Sequence, residues 1–462
     1  MLRIVALINM LWRTINTTLL ALCLCSWAFA DDSEDFQSGL QSFRDGEFES
    51  ALNHWLPLAE AGDLSAMYNV GLIFDEGLGV PVDKALALHW YRQPAEEGDV
   101  SAQFSMATIY DFGEGVPEDN IAAARWYEAA ANQADEQAQF NLGVMYSQGE
   151  GVEQDVQHAI HWYGLSADLG YAPAQFNLGY IYDMGAGVPE DNERALQWYR
   201  LAAAAGDSDA YFAIALMYDE GDGVAEDNPA AVDWYQRAAA AGNARAQFNL
   251  AIMHDVGEGI PEDNLAALHW YGLAAKQGHR SAQVNLAIML EDGEGTSPDL
   301  AQAMHWYQQA AARGSARAQY AIALMYDEGK GVAEDNAEAA VWYRRAAEQG
   351  DADAQNNLGA MHDAGEGIPE NNELALYWYT LAAEQGNPVA QNNLGAMYLS
   401  GEGATEDKIE AYKWFYIAER LGNAAGKQNR VVSARNMLLA DILQARRAAR
   451  QWLDRFHADR TP

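Results

Sequence analysis

Small and apolar residues return along this chain at helical spacing, in stretches cut off by glycine. In Ala138-Gln139-Phe140-Asn141-Leu142-Gly143-Val144-Met145-Tyr146 they recur three and four positions apart, which predicts a helix with one buried stripe. Gly149-Glu150-Gly151 ends it, because glycine tolerates the positive φ needed to reverse direction. Val152 is apolar and packs under the loop. Asp155 stands where an N-cap belongs, its carboxylate able to accept free amides of the next helix. That helix runs through Ala159, Trp162, Tyr163, Ser166 and Ala167 until Gly170 stops it.

The same pattern recurs without insertion. Aromatic pairs stand at Trp90-Tyr91, Trp126-Tyr127 and so on to Trp414-Phe415, always 36 residues apart, and a Gly-x-Gly element keeps the beat from Gly77 and Gly79 to Gly401 and Gly403. Trp55 adds a preceding, less regular unit. The N-cap column is Asp in every repeat except at Asn371, and the closing glycine is replaced only by Ala134. A column alternating between Gly and Ala, Gly71 and Ala107 to Gly395, lets paired helices approach closely. Two helices per unit cannot bury their faces alone, so neighbours must stack. The expected fold is all-α, an α-solenoid: a right-handed superhelix of about ten helix–loop–helix repeats with capping helices. The expected division is a signal peptide at 1–30, N-terminal capping helices or a partial repeat at 31–63, ten repeats at 64–422 and a basic capping helix at 423–462.

Composition narrows the partners. The 462 residues carry a net charge of −39, and residues 1–30 contribute only Arg3 and Arg13, so the rest is more acidic still. Such a chain repels phosphate backbones and anionic lipid heads, which argues against nucleic acid and general membrane-surface binding. Charge breaks the other way at the end: residues 421–462 hold eight Lys or Arg against three Asp, a net of +5. The N-terminus has the form of a secretory signal, with Arg13, an apolar run from Leu19 to Cys25, and Ala28-Phe29-Ala30 before Asp31-Asp32. Its apolar core falls short of the ~20 residues of a membrane span. Cys23 and Cys25 are the two cysteines, so the exported chain has no thiol and packing alone stabilises it. Periplasm is the expected destination, extracellular medium the alternative. Translation from Met10 would leave a more compact leader.

The motifs Ala-x-x-x-Leu-Gly-x-x-Tyr, Gly-x-Gly-Val, Asp, Ala-x-x-Trp-Tyr-x-x-Ala-Ala and a closing Gly resemble the Sel-one-like repeat (SLR) family, a relative of the tetratricopeptide repeat. The resemblance covers about residues 34–457 and includes the ending Glu410-Ala411-Tyr412-Lys413-Trp414-Phe415. It implies a protein–protein interaction scaffold or adaptor of the bacterial cell envelope that binds a partner peptide or protein through its concave face. Some cysteine-rich members have been linked to penicillin binding or β-lactam hydrolysis. Those carry a disulfide in each repeat and this chain has none, so their activity is not carried over, and a cell-wall or β-lactam hydrolase stands only as the alternative. A structural spacer in secretion or polysaccharide assembly is a third.

No nucleophile elbow, His-Glu-x-x-His, phosphate-binding loop or cysteine nucleophile occurs, so no catalytic residue, cofactor or metal is expected. His89, His161, His269 and His305 each precede a ladder Trp. Equivalent positions in stacked repeats lie roughly 8–10 Å apart and cannot share an ion. The acidic loops, such as Asp219 to Asp227, lack the EF-hand spacing. By analogy with tetratricopeptide grooves, the first helix of each repeat lines the concave face. There the candidate partner-binding residues are an aromatic floor (Phe104, Phe140, Phe176, Phe212 and Phe248), amides (Asn141, Asn177 and Asn249) and an acidic rim (Asp183, Asp219 and Asp255). Such a groove selects a cationic, partly apolar segment. The competing expectation is that the rings pack between helices, the asparagines bridge turns and the aspartates only solubilise.

Overall fold

The computed structural model describes residues 33–458. Among them are 24 α-helices and no strand, arranged as an α-solenoid of tandem helix pairs. Residues up to Asp227 form one compact unit and those from Asn228 a second, each built on the same plan. The proposed leader at 1–30 lies outside the described residues. Among the described residues, no helix is long and apolar enough to cross a membrane.

The first repeat begins at residue 64, and each later one 36 residues on. Its third member shows the local logic. Helices Glu136–Gln148 and Val156–Asp168 are joined through Gly149 and Gly151, both left-handed at φ 77° and 70°. Asp155 caps the second helix, its carboxylate accepting from the amides of Gln157 and His158. Asp83, Asp119, Asp191, Asp263, Asp299, Asp335, Asn371 and Asp407 cap their second helices likewise. First helices are capped too, by Asp99 and Asp135 in the first unit and by Asn243, Ser315 and Asp351 in the second. These second helices are thus capped from within their repeat, and these first helices by the last residue of the repeat before. The first helix of the fourth repeat starts after Tyr171 without a side-chain cap.

Burial explains the small-residue column. At Gly71, Gly143, Gly179, Gly359 and Gly395 an added Cβ would lie 2.6–2.9 Å from ring carbons of Tyr91, Tyr163, Tyr199, Tyr379 and Phe415. The second member of each Trp-Tyr pair is thus pressed flat onto the first helix, and these rings are almost wholly buried. In the N-terminal cap, helices Glu34–Arg44 and Phe48–Glu60 reproduce this contact: Trp55 is fully buried over Gly39 and its indole donates to the Phe36 carbonyl at 3.2 Å. Trp55 occupies the place of the tyrosine column, not of the partly buried ladder tryptophans.

The C-terminal end departs from the single capping helix expected. Ala424–Ser433 starts like another first helix, capped by Asn423, and Asn429 donates to Asn392 at 2.9 Å. A 3₁₀ turn at Ala434–Asn436 breaks it, and Leu439–Ala458 follows. In that last helix Ala449, Leu453 and Trp452 cover Trp414, while Leu438, Leu439 and Leu443 remain exposed. A sequence stretch of high helical propensity contains no obvious breaker here; the break lets the last helix cover Trp414.

Candidate functional site

The aromatic column packs inward, ring against ring. Phe104 meets Tyr127 at 5.8 Å, Phe140 meets Tyr163 at 5.7 Å, Phe176 meets Tyr199 at 5.5 Å and Phe248 meets Tyr271 at 5.9 Å between centroids. Such tilted contacts are favourable beyond area burial. Phe140 and Phe212 are only 2% and 7% exposed, so neither ring is offered to a partner as the groove expectation required. Phe104, Phe176 and Phe248 are half-buried and keep an outward edge.

The acidic column and the asparagines are tied to the same tyrosines. The hydroxyl of Tyr199 donates to Asp183 at 3.0 Å, and that of Tyr271 to Asp255 at 3.3 Å. In the next repeat Asn249 donates to the Tyr235 hydroxyl at 3.0 Å and Asn285 to that of Tyr271 at 3.1 Å. Where the acid is Ser147, burial raises the Tyr163 phenol, opposed by the neighbouring Ser147 and Asn177. In the last repeat the acid becomes Leu399 and the tyrosine becomes Phe415, so both ends of the bond vanish together. A rim of free carboxylates is replaced by carboxylate–phenol–amide chains that join one repeat to the next. Asn141 and Asp219 are half-buried.

These bonds leave an electrostatic signature. Burial pushes the Tyr199 phenol well up, reinforced by the Asp183 charge. Burial also raises the Asp183 carboxyl, aided by Asp222 and Glu190 and opposed by the Tyr199 bond; Asp363 is raised in the same way. The half-buried caps Asp135, Asp207 and Asp351 are raised by burial too. A carboxyl raised in the fold takes up its proton more readily there than in the unfolded chain. Its charge therefore costs stability at neutral pH, and the cost is relieved as pH falls towards 3.8, the ordinary value. His279 and His362 are lowered from 6.5 by burial and oppose this as pH falls below that value. The imidazole loss begins just below 6.5 and the carboxyl gain comes as pH nears 3.8, so the thermal midpoint is expected to change more favourably between pH 5 and pH 4 than between pH 7 and pH 5. Below about pH 3.8 the gain saturates and exposed caps such as Asp155, whose bonds to His158 lower its carboxyl, lose their contribution. A midpoint that falls more steeply between pH 5 and 4 than between pH 7 and 5 would contradict this ordering.

A second chain of amides runs between repeats. Gln103, Gln139, Gln175, Gln247 and Gln283 each donate to a last-turn carbonyl of the preceding helix, for example Gln139 to Ala131 at 3.0 Å. Thirty residues on, Gln133 donates to the Gln103 oxygen at 2.9 Å and Gln277 to that of Gln247 at 2.8 Å. Where that position is Leu169, the Gln139 oxygen is buried with no partner in the chain. Leu169→Gln is expected to stabilise the protein by about 0.5–1.5 kcal/mol, seen as a raised urea midpoint. No change would show that the second amide contributes nothing.

His89, His161, His269 and His305 are exposed and lie edge-on to the tryptophan that follows, 5.1–5.3 Å between centroids. Among the described residues no three His, Cys, Asp or Glu side chains are grouped to hold a metal ion.

The Sel1 repeat profile matches ten consecutive segments, from 64–99 through 388–423. The chain belongs to the Sel1 repeat family. Sel1 repeats, which are tetratricopeptide-like, commonly serve as protein–protein interaction scaffolds and are generally not enzymes. Among solved structures, the chain is similar to c5321, a protective antigen present in uropathogenic Escherichia coli strains displaying an SLR fold: 31% identity, 88% of this chain and 95% of that one, TM-score 0.62. It is also similar to a Sel1 repeat protein from Oxalobacter formigenes, at 36% identity over 49% of this chain and 94% of that one, TM-score 0.46. Comparison with curated proteins returns no match.

The Sel1 repeats follow from the sequence pattern, whereas the partners of their polar columns leave only a faint mark in it. The signal was available: Leu399 and Phe415 change together, sixteen residues apart, as a paired acid and phenol would.

Proposed function

We propose that this Sel1 repeat protein is a non-enzymatic scaffold of the bacterial cell envelope, exported to the periplasm, where it holds a protein or peptide on the face formed by its first helices. The observation that supports this most is likeness over nearly the whole of both chains to an SLR protein, with no further domain among the described residues to carry chemistry. The half-buried rings of Phe104, Phe176 and Phe248 supply apolar edges on that face. The net charge of −39 favours a cationic, partly apolar partner over most of its length.

Crosslinking in intact cells, followed by mass spectrometry, tests the reading. The expected result is a small set of exported proteins crosslinked through first helices. Recovery of the protein with cytoplasmic proteins alone, or turnover of nitrocefin or peptidoglycan by the pure protein, would refute it.

A further inference from the structure

The boundaries between repeats carry a charge pattern that the average hides. At each one, the last four residues of a repeat and the first four of the next form a turn and a helix start. Six of the nine boundaries hold at least one acid and no Lys or Arg, as at Glu348 to Gln355 with Glu348, Asp351 and Asp353. The three consecutive boundaries at 240–247, 276–283 and 312–319 invert this. They hold Arg245, Lys276, Arg280, Arg313 and Arg317, and no acid. In a chain of net charge −39 this is a local cationic edge, and all of it lies in the second unit.

A cavity opens at the same place. Arg280 and Arg317 line a space of about 410 Å³ between the starts of helices Arg280–Asp292 and Ala316–Asp327, together with Ser281, Ser315 and Val284. A second space of about 170 Å³ shares Val284 and Arg317 and has apolar walls from Ile288 and Leu324. The reason for the space is a substitution in the aromatic column. Seven of its ten members are Phe or Tyr and two are Asn, but repeat seven has Val284, whose short side chain has no ring to lay over Tyr307. Both arginines are exposed, and among the described residues no ion pair holds either. The carboxylate at the far end, Glu291, is already engaged by Tyr307 at 2.7 Å and Lys330 at 2.5 Å.

We propose that repeats seven and eight form a site for an acidic peptide segment of a partner protein, with a carboxylate held between Arg280 and Arg317 and a neighbouring apolar side chain filling the space over Val284. Guanidinium groups pair well with carboxylates, and the uncompensated charge here attracts an anionic segment that most of the acidic array repels. The site rests on the scaffold reading and refines it: partner contact is cation-seeking along most of the array and acid-seeking at these two repeats.

The test is selection from a random-peptide phage library against the full exported chain, then binding of a fluorescein-labelled enriched peptide. Enriched sequences are expected to place Asp or Glu beside Leu, Ile or Phe. Arg280→Glu with Arg317→Glu is expected to weaken the labelled peptide about tenfold or more. Val284→Phe, which installs the residue that five other repeats carry, is expected to weaken it as well while leaving circular dichroism unchanged and the melting temperature no lower. Enriched peptides without acids, or no enrichment, overturn the proposal. So does loss on charge reversal with full binding to Val284→Phe, which would reduce the edge to general attraction. Peptides that bind elsewhere and ignore all three substitutions also overturn it but leave the scaffold standing, since that is judged by crosslinking in cells.

Discussion

Gly151→Ala is expected to destabilise the protein by more than about 3 kcal/mol, although alanine adds one methyl group at a surface loop. Gly151 is left-handed, at φ 70°, where an L side chain costs roughly 1–2 kcal/mol. The larger part is steric. The new Cβ would fall well inside van der Waals contact with the carbonyl of Asn120, the first residue of the preceding repeat's second helix. That atom belongs to a helix end and cannot turn away like a side chain, so the two repeats must separate. Gly170→Ala is the control: its φ is 94° and nothing lies within 4 Å of the added atom, so it carries only the backbone cost, on the order of 1 kcal/mol. Ala134, at φ 65° in an equivalent turn, shows that such a turn accepts alanine. Urea unfolding should show a small shift for Gly170→Ala and a large one, with a broadened transition, for Gly151→Ala. Equal shifts would mean that the second loop glycine is a turn former and nothing more.

Tyr199→Phe and Asp183→Leu are each expected to cost about 1–3 kcal/mol, and the double variant much less than their sum. Removing the phenol hydroxyl leaves the half-buried carboxylate without its 3.0 Å donor. Removing the carboxylate leaves a hydroxyl buried, and the next repeat has Ala213 where others have asparagine, so no amide can substitute. Changing both gives Leu and Phe at the two positions that Leu399 and Phe415 hold in the last repeat. A double-mutant cycle read by chemical denaturation measures the coupling. Additive costs would show that the hydroxyl and carboxylate act independently, and the proposed chain between repeats would lose its basis.

Much of the molecule was legible from the chain alone, for one reason: the repeat supplies ten readings of each position. Helix pairs, the paired loop glycines and the Asp caps follow from local chemistry, in which a residue answers to neighbours within one turn. Periodicity then averages out exceptions such as Ala134 and Asn371. The same regularity obscured the candidate site. Phe140, Asn177 and Asp183 belong to columns carried by first helices, and a column says nothing about what lies opposite it.

Sequence by itself determined the helix pairs of the ten repeats and their loop chemistry, because these depend on contacts a few residues long, and the overall charge, which depends on no contact at all. Tertiary structure decided which groups are already used. The bond from Asp183 to Tyr199 spans sixteen residues, the link from Asn285 to Tyr271 fourteen, and the stacking of Gly151 on Asn120 thirty-one, all distances over which spacing alone cannot show a donor meeting its acceptor. The space beside Val284 is likewise invisible until the neighbouring helix is in place, since a missing ring is a feature of packing and not of any one residue.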